Sequence, residues 1–264
     1  MDLLQIVALA VVQCVTEFLP VGADAHLALV RLLLPVGQPG VGLSLNLGAA
    51  LAIAAYFHSE IAAAGLGLFQ SMRGRRTQNT KLAGKLLAGS MPWVVAAAVL
   101  VFAAYLPAEG SRPLLGWAML GGGVLLLVAD RIGMTVRRVE HIGVPTAILL
   151  GVAQALALVP GVGRLAATLT VARFIGIERQ DAARYAFLIG LLPTLAIAAW
   201  QAWMRVGAGA WRMGPADAAG GLASFIACYL AIAFFMNWLR RGTVTPFALY
   251  RIVVGGAILY VFYT

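Results

Sequence analysis

The chain alternates between long apolar runs and short polar or basic segments. Six of the apolar runs are long enough to cross a membrane, since a spanning helix needs about 20 apolar residues. They cover residues 41–57, 87–106, 114–130, 186–203, 219–239 and 245–263. Their hydrophobicity is continuous rather than alternating, which favours helices over barrel strands, the only two structures that span lipid. The pattern therefore predicts an all-α polytopic membrane protein with about six transmembrane helices.

Two further apolar regions, 3–35 and 143–176, are interrupted by proline and glycine. The interruptions are Pro20 and Gly22 in the first region, and Pro160, Gly161 and Gly163 in the second. Each half is too short to span, and broken helices at membrane depth are tolerated only where protein encloses them. We predict two re-entrant helical hairpins.

Composition agrees with this pattern. The chain has 264 residues, of which 62% are hydrophobic and 11% charged, whereas a soluble domain carries about 25% charged residues. The length fits one integral membrane domain, 1–264. The net charge of +9 comes from loops between apolar runs, so it predicts topology rather than nucleic-acid binding. Cys14 and Cys228 both lie in apolar helices, where we expect core packing.

Basic residues concentrate in alternate loops. Segments 58–86, 131–142, 177–185 and 240–244 hold twelve, and the intervening segments 107–113 and 204–217 hold only three. The twelve are Arg73, Arg75, Arg76, Lys81, Lys85, Arg131, Arg137, Arg138, Arg179, Arg184, Arg240 and Arg241. The positive-inside rule places them in the cytoplasm. The first hairpin then enters from outside and the second from the cytoplasm.

Opposite entry predicts an inverted repeat, and the two hairpins share a pattern. Gln13 to Gly22 resembles Gln154 to Gly163, and Leu-Ala-Ile-Ala-Ala followed by an aromatic residue recurs at 51–56 and 195–200. The repeats cover approximately 1–106 and 143–239. Chance similarity among alanine- and leucine-rich helices is the alternative. Inverted repeats with broken helices place a binding site near the membrane midplane.

Ionisable groups inside apolar segments are costly, so each is a functional candidate. They are Glu17, Asp24, His26, Arg31, Arg164, Arg173 and Arg251. Gln13 and Glu17 are four residues apart and share a helix face. For Asp24 the alternative is an N-cap of the next helix, and for His26 it is a packed histidine. Arg31, Arg173 and Arg251 are weaker candidates, and the first two are placed to snorkel from helix ends.

The second hairpin has the pattern of an anion site. Its Pro-Gly-Val-Gly-Arg turn, ending at Arg164, precedes a helix start whose free N–H groups and positive dipole favour an anion such as phosphate. The alternative is an arginine that snorkels to the surface. A carboxylate opposite a phosphate calls for a divalent cation, Mg²⁺ or Ca²⁺, with Glu17 and Asp24 as ligands. His26 then serves as nucleophile or general acid–base.

At these residues the chain resembles the undecaprenyl-pyrophosphate phosphatase family, the bacitracin-resistance phosphatases. That family has an (E/Q)xxxE pair, then Phe-Leu-Pro-Val-Ser-Ser-x-Gly-His, and later Pro-Gly-x-Ser-Arg-Ser followed by a threonine. The matching residues are Gln13, Glu17, Phe18, Leu19, Pro20, Val21 and His26, then Pro160, Gly161, Arg164 and Thr168. Length, hairpins and spans extend the resemblance over the whole chain.

The resemblance implies a multi-pass hydrolase of the bacterial inner membrane. It would remove the terminal phosphate of undecaprenyl diphosphate on the periplasmic side, which regenerates the carrier for peptidoglycan synthesis and confers bacitracin resistance. The resemblance implies that Gln13 and Glu17 orient the metal and the attacking group and that His26 serves catalysis. It assigns diphosphate binding to Arg164, with Gly161, Gly163 and Thr168 in the same pocket.

This sequence departs from the family at the motif serines, which are Gly22, Ala23, Gly163 and Leu165 here. Asp24 is an additional acid that could be a metal ligand or a nucleophile. Two alternatives therefore stay open: a transporter or flippase for a phosphorylated prenyl lipid, and a catalytically inactive paralogue. The expected partners are a polyprenyl diphosphate and membrane lipids but no nucleic acid. A homodimer is left open.

Overall fold

The computed structural model describes residues 3–33, 42–103, 112–136, 138, 142–209 and 213–263. Within these ranges every regular element is a helix. The α-helices are α1 Leu3–Phe18, α2 Ala23–Leu33, α3 Gly42–Tyr56, α4 His58–Met72, α5 Gln78–Phe102, α6 Arg112–Ile132, α7 Val144–Ala155, α8 Arg164–Phe174, α9 Arg179–Gly207, α10 Pro215–Trp238 and α11 Thr245–Tyr263. A 3₁₀ turn, Leu156–Leu158, extends α7.

The helices confirm a polytopic membrane protein. Five of them, α5, α6, α9, α10 and α11, are long and apolar enough to span, and α3 with α4 forms a sixth candidate that bends by 92°. Each predicted span coincides with a helix. Helices α5 and α9 begin nine and seven residues before the predicted spans, which started at 87 and 186. Their first turns carry basic residues, which lowers the local hydropathy without ending a helix.

The segment 58–86 is not the loop that its charge pattern predicted. It contains α4 and the first turns of α5, which Thr77 caps by accepting a hydrogen bond from the Thr80 backbone N–H. Helix α4 is fastened to α9, because Arg184 Nε donates to Glu60 Oε1 at 2.9 Å. The prediction failed because α4 combines alanines and glycines with polar and charged residues. Its mean hydropathy is too low for a spanning helix, so the hydropathy pattern predicted a loop.

Both interrupted regions fold as the predicted hairpins. Helices α1 and α2 are joined by a turn at 19–22, and α7 with its 3₁₀ extension is joined to α8 by a turn at 159–163. Gly22, Gly161 and Gly163 have φ values of +88°, +90° and +74°. Glycine adopts these left-handed conformations without the steric cost that a Cβ adds. The sequence breaks are therefore the residues that make the turns.

Helix pairings come in matched sets. Helix α1 packs on α10 as α7 packs on α5, while α3 packs on α9 and α6 packs on α11. Glycines permit the closest approaches, with Gly48 against Gly221 and Gly151 against Gly89, as is common between membrane helices. Two related halves would pair in this way. The repeat bounds of approximately 1–106 and 143–239 stay a prediction.

Two of the expected side-chain environments need revision. Cys14 and Cys228 are buried in the core as expected, and a disulfide also joins them, linking α1 to α10. Arg173 does not snorkel: its side chain is 1% exposed, its Nη1 donates to Ile177 O at 2.6 Å, and it shares Asp130 with Arg179. The carboxylate compensates the buried charge, which removes the need to reach water. The side chain of Arg31 lies outside the described residues.

Candidate active site

The turns of the two hairpins meet inside the helix bundle. The Gly161 backbone N–H donates to Asp24 Oδ2 at 2.8 Å, and Arg164 Nη2 forms an ion pair with Glu17 Oε1. Each contact joins residues that are more than 130 positions apart in the chain. The structure therefore brings together the candidate residues of both broken regions.

A cavity of about 250 Å³ lies where the turns meet. Its walls carry most of the polar candidates. These are Gln13, Glu17, Asp24, Gly163, Arg164 and Arg251. Trp93 and Ile197 close one side. With Thr16 and Asn46, which also line it, the cavity combines two carboxylates, two amides, one hydroxyl and two guanidinium groups among apolar side chains.

Arg164 is directed into this cavity rather than toward the membrane surface. It is the first residue of α8, and besides Glu17 it contacts Thr194 Oγ1, to which Nη1 donates at 3.2 Å. Its guanidinium also lies 5.9 Å from the centre of the Trp93 ring. The side chain is only 16% exposed. These contacts rule out the snorkelling alternative.

The start of α8 adds an anion-binding surface to the arginine. No side chain caps this helix, and its N-cap residue is Gly163. Gly163, Leu165 and Ala166 line the cavity beside Arg164. The first N–H groups of a helix have no partner within the helix and carry its positive dipole end. A phosphate at this position would receive both backbone and guanidinium donors.

Asp24 is not the N-cap of α2. The helix begins at Ala23, so Asp24 lies in its first turn. Its carboxylate instead accepts from Gly161 across the hairpin boundary, and the side chain is exposed to the cavity. A carboxylate that is held by one oxygen while it faces open space can accept a proton from a bound molecule.

Arg251 belongs to the site, although the sequence marked it as a weak candidate. It is fully buried in α11, and its Nη2 donates to Gly161 O at 2.9 Å and Val162 O at 3.0 Å. Its Nη1 and Nε have no hydrogen-bond partner among the described residues. Arg251 lines the cavity with donors to spare. Its signal in the sequence was an arginine inside an apolar helix.

His26 and Thr168 are close to the cavity but are not among the residues lining it. The His26 Nδ1 contacts Gly22 O at 2.7 Å, and its Nε2 contacts Tyr250 Oη at 2.6 Å. A carbonyl only accepts, so Nδ1 carries a proton and donates to Gly22 O. Thr168 is 1% exposed and donates to Arg164 O at 2.9 Å. His26 therefore supports Gly22 of the first turn, and Thr168 supports Arg164, which follows the second turn.

The residues present fit a cation that arrives with a phosphate group. Glu17 and Asp24 line one cavity with Gln13. No group of three or more His, Cys, Asp or Glu side chains converges in the part of the chain that the structure describes. Mg²⁺ is commonly held by one or two carboxylates together with substrate phosphates and water. The donor set suits that arrangement better than a site made of protein ligands alone.

An apolar groove of about 370 Å³ adjoins the cavity, between α5 and α9. Trp93 and Ile197 line both spaces. The groove walls consist of alanine, valine, leucine, isoleucine, phenylalanine and tryptophan side chains. A molecule with a charged head and a hydrocarbon tail would find a matching surface for each part.

Comparison with known proteins agrees with this geometry. The chain matches the family described as "Bacitracin resistance protein BacA" over residues 6–257. It is 40% identical to undecaprenyl-diphosphatase 1 of Rhodospirillum rubrum, with 98% of this chain and 95% of that protein covered. It is 34% identical to undecaprenyl-diphosphatases of Roseobacter denitrificans and Geobacter sulfurreducens, covering 97% and 98% of this chain and the same shares of those proteins. The chain belongs to the BacA family of bacitracin resistance proteins.

Proposed function

We propose that this protein is a membrane-embedded phosphatase that removes the terminal phosphate of undecaprenyl diphosphate. The observation that carries the proposal is the cavity in which Arg164, Arg251 and the N-terminus of α8 face Asp24 and Glu17. The family membership and the names of the relatives support the same activity. Its product would be the monophosphate carrier that cell-wall synthesis uses again.

The cationic side of the cavity binds the head group in this proposal. Arg164 can grip two phosphate oxygens with parallel donors, and the unpaired Nη1 of Arg251 offers a further one. The diphosphate would compete with Glu17 for Arg164. Substrate binding would therefore replace the Glu17–Arg164 ion pair with an ion pair between Arg164 and the phosphate. Both arginines would also stabilise the negative charge that develops on the leaving oxygen.

Asp24 acts on the attacking water. Its carboxylate accepts a proton as the water oxygen bonds to the terminal phosphorus, and the phosphoanhydride bond breaks. Inorganic phosphate and the lipid monophosphate leave. A divalent cation held by Asp24 and Glu17 would withdraw charge from the phosphate oxygens. This route needs no serine hydroxyl, which fits a chain with glycine, alanine and leucine at the four motif positions.

In this proposal the prenyl tail lies in the apolar groove, whose position supports one side of entry. It is lined by the C-terminal halves of α5 and α9, from Trp93 to Phe102 and from Ala196 to Trp200. Four basic residues, Lys81, Lys85, Arg179 and Arg184, lie toward the opposite ends of these helices, against Arg205 alone at the groove end. With the basic end in the cytoplasm, the groove would open into the outer leaflet of the bacterial inner membrane. The proposed substrate therefore enters from the periplasmic side.

Phosphate release from undecaprenyl diphosphate by the detergent-purified protein tests the proposal. The assay is run with Mg²⁺, with Ca²⁺ and with a chelator, on wild type, Arg164→Ala and Arg75→Ala. Arg75 is an exposed arginine outside the site, so its variant controls for loss of charge. We expect metal-dependent release that Arg164→Ala reduces by about 100-fold or more.

The outcome separates hydrolysis from its alternatives. A folded wild-type protein that binds the lipid without releasing phosphate contradicts the proposal. If it also moves the lipid across a vesicle bilayer, the matched halves around the central cavity serve transport. If it does neither, the protein is a silent paralogue. Full activity of Arg164→Ala would show that hydrolysis does not need the Arg164 guanidinium.

A further inference from the structure

A second, much smaller cavity of about 30 Å³ adjoins the Glu17–Arg164 ion pair. Gln154, Gly190 and Thr194 contribute to its walls. Gln154 is 1% exposed, yet neither its Oε1 nor its Nε2 has a hydrogen-bond partner among the described residues. Native proteins pair nearly all buried polar groups with protein atoms or with ordered water. The unpaired amide of Gln154 therefore indicates that a small ligand occupies this space.

The dimensions and chemistry of the cavity suit water. A space of about 10–15 Å³ is enough for one molecule, provided that two to four polar partners surround it. Gln154 supplies a donor and an acceptor, and Glu17, Arg164 and Thr194 supply charged and hydroxyl groups on the same walls. An apolar cavity of this size would stay dry, whereas this one offers every partner that a bound water needs.

Gly190 keeps the space open. It lies in the interior of α9, where an alanine would make a better helix. A Cβ at this position would lie 3.8 Å from Gln154 Nε2, which is ordinary contact distance. The backbone thus tolerates alanine sterically, but the methyl group would enter the volume between Gln154 and the ion pair.

We propose that Gln154 holds a buried water that hydrogen-bonds the Glu17–Arg164 pair and fixes the direction of the Arg164 guanidinium. Gln154 is then a positioning residue, since it does not contact the head group itself but acts through the water and Arg164. The inference rests on the proposed function in one respect, namely that Arg164 binds the diphosphate. It adds a water site and a residue that the catalytic scheme does not contain.

The test is binding of methylene diphosphonate, a diphosphate mimic that cannot be hydrolysed, to the full-length protein in detergent. Gln154→Met removes the polar atoms at nearly constant volume, Gly190→Ala fills the space, and Thr170→Val is a control at a buried threonine outside both cavities. We expect either site variant to weaken binding by about tenfold, the equivalent of one hydrogen bond. The melting temperature should stay level or rise, because a core amide or a helix glycine has been removed.

A purely structural role for Gln154 gives the opposite combination, a lower melting temperature with unchanged affinity, and would overturn the proposal. Unchanged affinity in Gly190→Ala alone would exclude the water. If wild type does not bind the diphosphonate, density for the ligand-free protein at high resolution decides, and a dry cavity contradicts the inference. Binding of the mimic by a protein that releases no phosphate would refute the proposed function and leave this inference standing.

Discussion

Asp24 is the carboxylate with the clearest access to a bound head group, because Glu17 is engaged by Arg164 while Asp24 faces the cavity. Asp24→Asn keeps the size of the side chain and an oxygen that can accept from Gly161. It removes the proton acceptor, so we expect kcat to fall by about 100-fold or more. Binding of the diphosphonate in the absence of a divalent cation should change little.

Initial rates of phosphate release, together with mimic affinity, check this expectation. Glu178→Gln removes a carboxylate at the N-cap of α9, outside the cavity, and serves as the matched control. Wild-type kcat in Asp24→Asn would assign the proton transfer to another group, with Glu17 the next candidate.

His26 supports the turn through its Nδ1 in the structure, and this leads to a second prediction at the residue scale. An asparagine places its amide nitrogen close to the position of Nδ1 and can donate to the Gly22 carbonyl as the histidine does. His26→Asn should therefore retain most of the activity, whereas His26→Leu should lose it. Equal loss in both variants of a folded protein would identify the imidazole itself as a reacting group.

Single residues were predictable from the sequence only where an energetic cost exposed them. Glu17 and Arg164 stood out because a charge at membrane depth must have a function or a partner. Their mutual pairing was not predictable, since it depends on how two hairpins dock. The contact of Asp24 with Gly161 and the position of Arg251 in the cavity were not predictable for the same reason, because both depend on how distant helices pack.

At the element scale, the contact of α6 with α11 places two adjacent glycines in very different surroundings. A Cβ on Gly122 would lie 2.7 Å from Arg251 Nη2, whereas a Cβ on Gly121 would meet nothing within 4 Å. Gly122→Ala should push the guanidinium out of place and lower kcat/KM by about tenfold to 100-fold. Gly121→Ala should behave as wild type.

Phosphate-release kinetics and melting temperatures of the two variants test this pair. Both substitutions improve helix propensity, so a difference in kcat/KM between the two variants reports on the displacement of Arg251. Identical kinetics would show that Arg251 does not act on the head group.

One end of each of four helices, α6, α8, α9 and α11, is joined to the others by a buried charge network. Asp130 of α6 is 3% exposed and binds Arg179 of α9, Arg173 of α8 and, at 3.1 Å, Thr245 of α11. Asp130→Asn leaves two arginines without their counter-charge, which we expect to cost about 3–5 kcal/mol.

Thermal unfolding in detergent measures that loss. Glu60→Gln is the comparison, because its pair with Arg184 is partly exposed and should contribute about 1 kcal/mol or less. A similar melting temperature for the two variants would mean that the network is not needed for stability.

Hydropathy and glycine breaks were enough to predict every spanning helix and both hairpins. They failed for α4 and for the first turns of α5 and α9, because hydropathy measures transfer to lipid and not helix formation. The 92° bend between α3 and α4 was not predicted either, because hydropathy along the chain does not contain the angle between two helices.

The whole molecule places a polar cavity and an apolar groove end to end, and neither could be predicted in shape from the sequence. An inverted repeat only predicts that a site lies between the halves. The groove is lined by residues of α5 and α9, two segments that are far apart in the chain.

Ala97 lines this groove, so Ala97→Phe should obstruct the tail while leaving the head-group site intact. We expect KM for undecaprenyl diphosphate to rise by about tenfold, equivalent to losing contact with roughly two methylene groups. A shorter prenyl diphosphate should lose less, and diphosphonate affinity should not change. Ala223→Phe introduces the same side chain in the other apolar groove, between α1 and α10. If Ala223→Phe instead raises KM and Ala97→Phe does not, the tail follows α1 and α10, and entry from the α5–α9 side is wrong.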